Sequence, residues 1–454
     1  MSFRLLAVAP AVVSVFASGF ITVHADSEKS TGSHTTPVTK LSLPLKRKAI
    51  SDTIEECRLL ATRVREHKQI PGLVIGISVG GKQVWVEGVG YANIEQGSKC
   101  NERTVMRVAS ISKSITMLLL GKLYEDGKVD LDKPISNYFN EDEFPHKKWD
   151  GQKVDITLRQ LVSHLGGIRH YKNPVSAQTN AQNITKPNPN ASEFDAYEYY
   201  SRTNYANVID SLKMFKDDDL VAKPGTKFLY TTFGFTLISA VLEKCLPDKE
   251  QFGNYLVDKI LRKQLGMYST YLDYNEPIIY ERSNYYLHSE KKPGVLLNAP
   301  AVDNSYKWAG GGLLSSIPDL LRFGNVMMYS YLGGDTKRNI PGFLKQETVN
   351  MLWKPVPEAK IGAGQKSHAW TSYGMGFGVI PKESKAIVAG GITPQLEDSI
   401  VAYHSGGAVG ASSFMMVVPE REIVVAAFAN LQNVGLAELC FDVAEKFSNS
   451  ELYS

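Results

Sequence analysis

The sequence predicts an α/β (α+β) fold, in which strands from both ends of the chain form one antiparallel sheet flanked by helices. Two hairpin patterns support this prediction. The first joins two apolar segments within residues 73–87 across a tight Gly80-Gly81 turn. The second joins two apolar segments within residues 413–428. Because helical patterns dominate about residues 130–310, we expect the two ends of the chain to meet in a single sheet.

Helices are expected beside both hairpins and through the middle of the chain. Residues 50–67 repeat apolar side chains at helical spacing. A short helix should start near Thr157 and end at the glycine pair that follows it, since glycine favours a helix stop. Further helices are expected over residues 237–242, residues 249–265, the segment after the Ser316 cap of a glycine-rich turn, and about residues 436–447.

The composition is that of an ordinary globular protein, with 43% hydrophobic residues, 21% charged residues and a formal net charge of +3. This balance, without a basic block or a basic-aromatic patch, argues against nucleic acid as a partner. The glycine-rich turn at residues 309–312 is followed by no Walker lysine, so we expect no nucleotide and no other cofactor.

The cysteines give no sign of a metal site. They are far apart and show neither zinc nor redox spacing, so we predict no metal, while their disulfide state stays open. The four residues are Cys57, Cys100, Cys245 and Cys440.

Residues 1–25 are interpreted as a targeting or signal segment. Arg4 is the only basic side chain before a long uncharged run, and residues 23–25 resemble a small-residue cleavage site. These features are typical of a secretory signal peptide. The run is also about long enough to anchor in a bilayer, which would keep the protein near a membrane. Residues 26–48 are interpreted as a linker to one domain over residues 49–454.

Residues 172–200 are interpreted as a mobile surface insertion within the helical region. They are rich in Asn, Pro, Ser and Ala and poor in large aliphatic side chains. Asn183 and Asn190 begin sequons there. We expect glycans on them only if the chain enters a secretory route.

The strongest candidate for catalysis is residues 109–116, where a polar loop leads into the apolar start of a helix. Residues three apart share a helix face, so the Lys113 ammonium can approach the Ser110 hydroxyl. A neutral lysine can take the proton of a serine, and partial burial lowers the pKa of a lysine side chain. The helix N-terminus also offers free N–H groups to a developing oxyanion.

Two other residues could carry related chemistry, but we interpret both as structural and not catalytic. Ser289 begins a second Ser-x-x-Lys pattern, which lies in a polar, loop-like stretch. His164 could be a catalytic base, yet the sequence shows no partner for it. Because a motif this short also occurs by chance, the order of motifs along the chain has to decide between the serines.

Three motifs occur in order along the chain. They are Ser110-Ile111-Ser112-Lys113, Tyr230-Thr231-Thr232 and His404-Ser405-Gly406. In this order they resemble the Ser-x-x-Lys, Tyr-x-Asn and Lys-Thr-Gly motifs of the serine β-lactamase and penicillin-binding-protein superfamily, in its class C-like branch. The resemblance covers about residues 50–450 and implies a β-lactamase/transpeptidase-like fold.

The resemblance also implies catalytic roles. Ser110 would be the nucleophile that forms an acyl-enzyme, while Lys113 and Tyr230 would share the general-base and general-acid work. The backbone N–H groups of Ser110 and Gly407 would form the oxyanion hole.

Substrate contacts are implied at positions where this chain departs from the family pattern. The contacting residues would be His404, Ser405 and Thr232. Thr232 replaces an asparagine whose amide helps hold the substrate amide. His404 replaces a lysine, so the site loses a permanent positive charge at pH 7. Both changes fit a peptide or ester substrate better than a penicillin carboxylate.

Two classes of function follow from these observations. The first is a serine hydrolase, preferably a peptidase, with esterase or β-lactamase activity as an alternative. The second is a non-catalytic structural protein on a penicillin-binding fold, because an animal mitochondrial branch of the family is associated with filament assembly and lipid metabolism. The same branch implies a homo-oligomer or filament and a location in the mitochondrion, in the intermembrane space, with secretion as the alternative.

Overall fold

Both predicted hairpins belong to one antiparallel sheet, which confirms the fold class. The computed structural model describes residues 48–172, 198–289, 291–334, 342–359, 372–382, 396 and 398–453. The targeting segment, the linker before residue 48 and most of the predicted insertion, with both of its sequons, lie outside the described residues.

The strands, in chain order, are β1 (Gly72–Val79), β2 (Lys82–Asn93), β3 (Ser98–Lys99), β4 (Met106–Arg107), β5 (Lys148–Trp149), β6 (Gln152–Lys153), β7 (Tyr271–Leu272), β8 (Tyr286–His288), β9 (Leu296–Asn298), β10 (Leu313–Ser315), β11 (Ser372–Tyr373), β12 (Gly378–Ile380), β13 (Val401–Ala408), β14 (Ala411–Val418) and β15 (Ile423–Ala429). In the described part of the chain, the main sheet has eight strands in the order β11-β12-β13-β14-β15-β1-β2-β3.

The ladder between β1 and β15 joins the two ends of the chain. It runs antiparallel from Leu73 opposite Ala429 to Val79 opposite Ile423. β1, β14 and β15 are buried along almost their whole length. Their apolar runs are continuous rather than alternating because helices cover both faces of the sheet.

The helices are α1 (Ile50–His67), α2 (Ile111–Glu125), α3 (Leu158–Val162), α4 (Val208–Ser211), α5 (Thr232–Lys244), α6 (Phe252–Asn254), α7 (Trp308–Gly311), α8 (Ile317–Leu332), α9 (Gln346–Trp353) and α10 (Ala437–Ser448). α1 and α10 pack together on one face of the sheet, while α8 packs on the other, where α2 and α5 extend the core. Within the described residues, no helix has the length and apolarity needed to cross a membrane.

Two helices differ from the sequence prediction. Thr157 caps α3 and forms a capping box with Gln160, but the helix ends at Val162, before the glycine pair. It stops early because His164 already adopts a left-handed backbone, with φ of 59°. The segment predicted as one helix over 249–265 is the short α6 followed by a π-helix over Tyr255–Arg262.

A close approach between two segments positions the start of α2. At Gly406 in β13, a Cβ atom would lie 2.6 Å from the Val108 carbonyl oxygen and 2.9 Å from the Ala109 Cβ. The same carbonyl accepts a hydrogen bond of 2.7 Å from the Ser413 hydroxyl. Only glycine leaves room for this crossing, which sets Ser110 beside the edge of β13.

Candidate active site

Ser110 immediately precedes α2, where it is half-buried. The residue before it, Ala109, has φ of 49°, in the left-handed region that residues with a Cβ seldom adopt. Ala109 packs against Ala408 and Ala411, whose small side chains allow the turn to approach the sheet. Backbone strain of this kind persists where the surrounding structure enforces it, and such places are commonly functional.

Lys113 lies one helical turn after Ser110, and its side chain is fully buried. Its Nζ is 3.0 Å from Ser110 Oγ and 2.6 Å from the Gly310 carbonyl oxygen. Burial, together with the nearby Lys307 cation, holds the pKa of Lys113 well below its usual range. A neutral Lys113 donates to the carbonyl of Gly310, which leaves its lone pair to accept the proton of Ser110.

Tyr230 completes the contacts of Ser110. Its side chain shares a hydrogen bond with Ser110, and burial raises its pKa, so the phenol is protonated at rest. Lys113 Nζ lies 4.8 Å from the centroid of the Tyr230 ring. The structure thus brings together three predicted residues whose hydroxyl and amine groups can exchange protons.

A cavity of about 220 Å³ opens beside Ser110. The residues that line it are Ser110, His170, Tyr171, Tyr199, Tyr230, Thr232, Lys307, Gly310, Gly311, Ser405 and Gly407. Surface grooves of about 490 Å³ and 580 Å³ elsewhere include none of the predicted site residues. We therefore take the smaller cavity as the candidate active site, because it alone among these three contains the Ser110 hydroxyl.

The open edge of β13 forms one wall of this cavity. β12 pairs with β13 only as far as Tyr403, whereas residues 404–408 pair with β14 alone among the described strands. Ser405 and Gly407 line the cavity on this edge. At Gly407 an added Cβ would meet nothing within 4 Å, so the backbone there is accessible to a substrate.

Thr232 also reaches the cavity, and neighbouring side chains hold it in place. Its hydroxyl shares a hydrogen bond with the Tyr171 side chain. Its backbone N–H donates to Nδ1 of His170, at 3.3 Å. Threonine is thus accommodated at the position of the family's asparagine by a local polar network.

His404 does not line the cavity, so the predicted contact between its ring and the substrate is corrected. The side chain is buried, with Nδ1 2.6 Å from the Ser405 carbonyl oxygen and Nε2 3.0 Å from the Tyr373 hydroxyl. Burial, together with repulsion from Lys113 when that amine is protonated, lowers its pKa to about 3. The shorter imidazole turns into the core beneath the strand, where a neutral ring is stable.

Lys307 lines the cavity, although no sequence motif singled it out. Its side chain is buried at 4% exposure, directly before α7. Burial and the neighbouring Arg107 lower its pKa to about 7, while Asp273 opposes this shift. The signal available in the sequence was a lone cation between Tyr306 and Trp308, just before the glycine-rich turn.

The two residues interpreted as structural have surroundings that suit that interpretation. Ser289 Oγ accepts a hydrogen bond of 3.1 Å from the Lys292 backbone N–H, as in a local turn. His164 Nδ1 accepts from the Thr231 N–H at 3.2 Å, and its ring packs against neighbouring aromatic rings, with the Tyr230 centroid 4.3 Å away.

The cysteines and the acidic side chains form no metal centre in the described part of the chain. No group of three or more His, Cys, Asp or Glu side chains there is arranged to hold a metal ion. All four cysteines are unpaired in the structure.

The family follows from comparison of the whole chain with known proteins. The sequence model of the beta-lactamase family matches residues 58–442. The chain belongs to the beta-lactamase family. The resemblance inferred from the three motifs is therefore confirmed, and the fold is that of a family of serine hydrolases.

Curated relatives in the beta-lactamase family extend over most of the chain. The serine beta-lactamase-like protein LACTB, mitochondrial, of Mus musculus is 37% identical over 495 residues, covering 95% of this chain and 86% of its own length. The protein of the same name from Homo sapiens is 39% identical over 452 residues, covering 87% of this chain and 79% of its own length.

Solved structures with the same fold are more distant in sequence. The octameric penicillin-binding protein homologue from Pyrococcus abyssi aligns with a TM-score of 0.65 and 20% identity, over 87% of this chain and 78% of its own. EstCE1, a hydrolase with promiscuous acyltransferase activity, aligns with a TM-score of 0.65 and 18% identity, over 88% of this chain and 99% of its own. At these identities the likeness establishes the fold alone.

Proposed function

We propose that the protein is a serine hydrolase that cleaves peptide or ester substrates through an acyl-enzyme on Ser110, with a peptidase as the preferred activity. One observation carries this proposal. The Ser110 hydroxyl has both a buried lysine amine at 3.0 Å and a protonated tyrosine as hydrogen-bond partners, at the wall of a cavity. A serine with an adjacent base and a second proton carrier is equipped for acyl transfer.

In the acylation step, neutral Lys113 takes the proton of Ser110 as Oγ attacks the carbonyl carbon of the substrate. The oxyanion that forms is stabilised by the backbone N–H groups of Ser110 and Gly407. When the bond to the leaving group breaks, Tyr230 gives its proton to the leaving nitrogen or oxygen. The phenolate then recovers a proton from Lys113, which restores both groups.

In the deacylation step, water attacks the acyl carbonyl carbon and the bond to Ser110 Oγ breaks. Neutral Lys113, with Tyr230 as a relay, accepts a proton from this water, and Ser110 Oγ receives a proton as it leaves. The acid product departs and the starting protonation states return.

The preference for peptides or esters over penicillins is part of the proposal. His404 is neutral and turned into the core, so the strand that carries Ser405 brings no cation to the cavity. At the position of the family lysine a penicillin carboxylate would lack a charged partner, and its recognition would depend on Lys307 instead. Hydrolysis of β-lactams remains the alternative activity.

The experiment that tests this proposal is covalent labelling of residues 26–454 with a fluorophosphonate, followed by mass spectrometry. We expect the label on Ser110 and its loss in Ser110→Ala. Ser289→Ala is the matched control, because Ser289 also begins a Ser-x-x-Lys pattern but contacts a backbone N–H instead of an amine. Label on Ser289, or full labelling of Ser110→Ala, would contradict the proposal.

A structural role is the second candidate function. It is favoured by the name of the Pyrococcus abyssi relative, which describes an octamer. We propose that the protein can form a homo-oligomer or filament, and that assembly is separable from catalysis because Ser110 faces a cavity. Sedimentation of wild type and Ser110→Ala tests this. A wild type that stays monomeric at every concentration and salt would refute assembly.

We further propose a mitochondrial location, in the intermembrane space, together with a link to lipid metabolism. The support is the name of the mammalian relatives, which includes the word mitochondrial, and the apolar N-terminal segment, which would be a cleaved transit peptide. Fractionation of mitochondria with N-terminal sequencing tests the location. A chain recovered from another compartment, or with Met1 intact, would contradict it.

A further inference from the structure

Arg107, which lies on β4 shortly before Ser110, is a buried charged side chain with no part in the proposed proton transfers. Only 5% of its surface is exposed, and a guanidinium group stays protonated even in the protein interior. Removing such a charge from water is unfavourable unless well-placed partners compensate. The partners of Arg107 therefore indicate what the buried charge does.

A carboxylate and an aromatic ring hold the guanidinium of Arg107 in a fixed orientation. Nε donates to Asp273 Oδ2 at 2.7 Å. The buried Asp273 carboxylate also accepts from Arg282 and from the Asn304 amide, both at 2.5 Å. The guanidinium lies 4.3 Å from the centroid of the Tyr285 ring, and the backbone N–H of Arg107 donates to the Tyr285 hydroxyl at 3.1 Å. The direction of the remaining guanidinium N–H groups is thereby set.

A further hydrogen bond of Arg107 reaches the turn after β13. Nη1 donates to the Val409 carbonyl oxygen at 2.7 Å. Val409 is buried and lies between β13 and β14, where Gly410, with φ of 73°, closes the hairpin. Arg107 therefore connects the segment that leads to Ser110 with the end of the strand that carries Gly407.

The two donors of the proposed oxyanion hole are close in sequence to the two ends of this hydrogen bond. Ser110 follows Arg107 by three residues, and Gly407 precedes Val409 by two. On the other side of Gly407, the close approach at Gly406 brings the strand against the turn before Ser110. Gly407 is thus held between a van der Waals contact on one side and a directional hydrogen bond on the other.

Side chains have to set the spacing between these two segments. β4 belongs to a three-stranded sheet with β7 and β10, whereas β13 belongs to the main sheet, so no backbone ladder of the described residues joins them. Ser413 bridges the gap to the Val108 carbonyl, and Arg107 bridges it to the Val409 carbonyl. An oxyanion hole works only if both N–H groups reach one oxygen, and a misplacement of about 1 Å can cost about 100-fold in rate.

We propose that Arg107 is a positioning residue for the oxyanion hole. Through its hydrogen bond to Val409, it holds the backbone N–H of Gly407 at the distance from that of Ser110 at which both reach the same substrate oxygen. This inference rests on the proposed hydrolase function. Arg107 does not line the cavity, so its effect on the reaction passes through the position of Gly407.

The test compares 4-nitrophenyl acetate with its thionoester, in which sulfur replaces the carbonyl oxygen. Sulfur is larger than oxygen and a weaker hydrogen-bond acceptor, so an oxyanion hole spaced for oxygen favours the oxo ester. The readout is the ratio of kcat/KM for the oxo ester to that for the thionoester. We expect Arg107→Met to lower this ratio about 10- to 100-fold. A loss of folded protein would lower both rates equally and leave the ratio unchanged.

Two further variants make the comparison specific. Arg282→Met removes another arginine from Asp273, but Arg282 otherwise donates to the Tyr274 carbonyl, away from the cavity, so the ratio should stay at the wild-type value. Arg107→Lys keeps the charge beside Asp273 and serves if Arg107→Met does not fold. Its single ammonium lacks the fork that reaches two partners, so the ratio should fall at least threefold. Wild-type ratios in the Arg107 variants, or an equal fall in Arg282→Met, would overturn the inference while leaving the hydrolase intact.

Crystal structures separate this inference from the hydrolase proposal. If wild type cleaves neither ester faster than Ser110→Ala does, the hydrolase proposal fails, and the distance between the backbone nitrogens of Ser110 and Gly407 then decides the role of Arg107. A change of about 1 Å in Arg107→Lys that is absent from Arg282→Met supports the positioning role. An unchanged distance overturns it. Thermal unfolding of each variant checks that it is folded.

Discussion

The Tyr373 hydroxyl lies 3.0 Å from Nε2 of His404, and both side chains are buried. Because Nδ1 of His404 can only donate to the Ser405 carbonyl oxygen, 2.6 Å away, the neutral ring has Nε2 as an acceptor for Tyr373. The Tyr373 ring in turn packs edge-on to Tyr230, with centroids 6.5 Å apart. The His404 ring also lies 6.3 Å from the Tyr230 ring, so His404 packs beside Tyr230 while it does not line the cavity.

The first prediction concerns this pair. Tyr373→Phe leaves the buried Nε2 of His404 without a donor, so the free energy of unfolding should fall by about 1–3 kcal/mol. Urea unfolding measures the loss. Tyr268→Phe is the control, because Tyr268 is 71% exposed and should change stability by less than about 0.5 kcal/mol. Equal stabilities of the two variants would contradict the bonding scheme.

The second prediction is the pH dependence of acylation. The pKa of Lys113 lies well below its usual range because of burial, and only the neutral amine can accept the Ser110 proton. The rate of labelling by a fluorophosphonate should therefore rise with pH through the pKa of Lys113 and level off above it. The same titration of Lys113→Met should lack this rise. An identical profile in both proteins would exclude Lys113 as the base.

The third prediction concerns Tyr230. Tyr230→Phe keeps the ring but removes the proton that the leaving group receives, so kcat/KM for an amide should fall by roughly two to four decades. An activated 4-nitrophenyl ester should be less affected, since its leaving group needs no proton. Tyr268→Phe again provides the control. A wild-type rate on the amide in Tyr230→Phe would assign the acid role to another group.

The fourth prediction links Lys307 to stability. Between its folded pKa of about 7 and its ordinary value, the unfolded chain holds a proton on this lysine that the folded chain has lost. Unfolding therefore takes up a proton, and stability rises with pH by up to about 1.4 kcal/mol per unit in this window. Relative to Lys307→Met, wild type should gain about 2 kcal/mol between pH 7.5 and 9.5. Denaturant unfolding at the two pH values measures this gain, and parallel changes in both proteins would contradict it.

The fifth prediction concerns the crossing at Gly406. In Gly406→Ala the new Cβ would meet the Val108 carbonyl and the Ala109 Cβ, so the turn that carries Ser110 has to move. We expect a loss of about 1–3 kcal/mol in stability and slower fluorophosphonate labelling. Gly435→Ala, where an added Cβ meets nothing within 4 Å, should change neither. Normal labelling in Gly406→Ala would show that the turn tolerates the shift.

Local patterns in the sequence were sufficient to predict the hairpins and most of the helices. The runs within residues 73–87 and 413–428 form β1–β2 and β14–β15, since short apolar runs and tight turns are set by neighbouring residues. The three-residue spacing of Ser110 and Lys113 likewise placed both on one helical turn. The same local patterns predicted the ends of helices less accurately. The left-handed backbone at His164, which ends α3, is imposed by tertiary contacts and not by the neighbouring residues in the sequence.

Contacts between distant segments decided everything else about the site. Gly310, almost two hundred residues after Lys113, supplies the carbonyl that orients its amine. The direction of the His404 ring depends on Tyr373, and the pKa of Lys307 depends on its burial beside Arg107 and Asp273. Sequence spacing carries no information about these encounters, because they follow from how strands and helices stack around a shared core. The sequence by itself thus identified the candidate nucleophile and its candidate base, whereas only the packing of the folded chain decided which lysine besides Lys113 lies at the cavity.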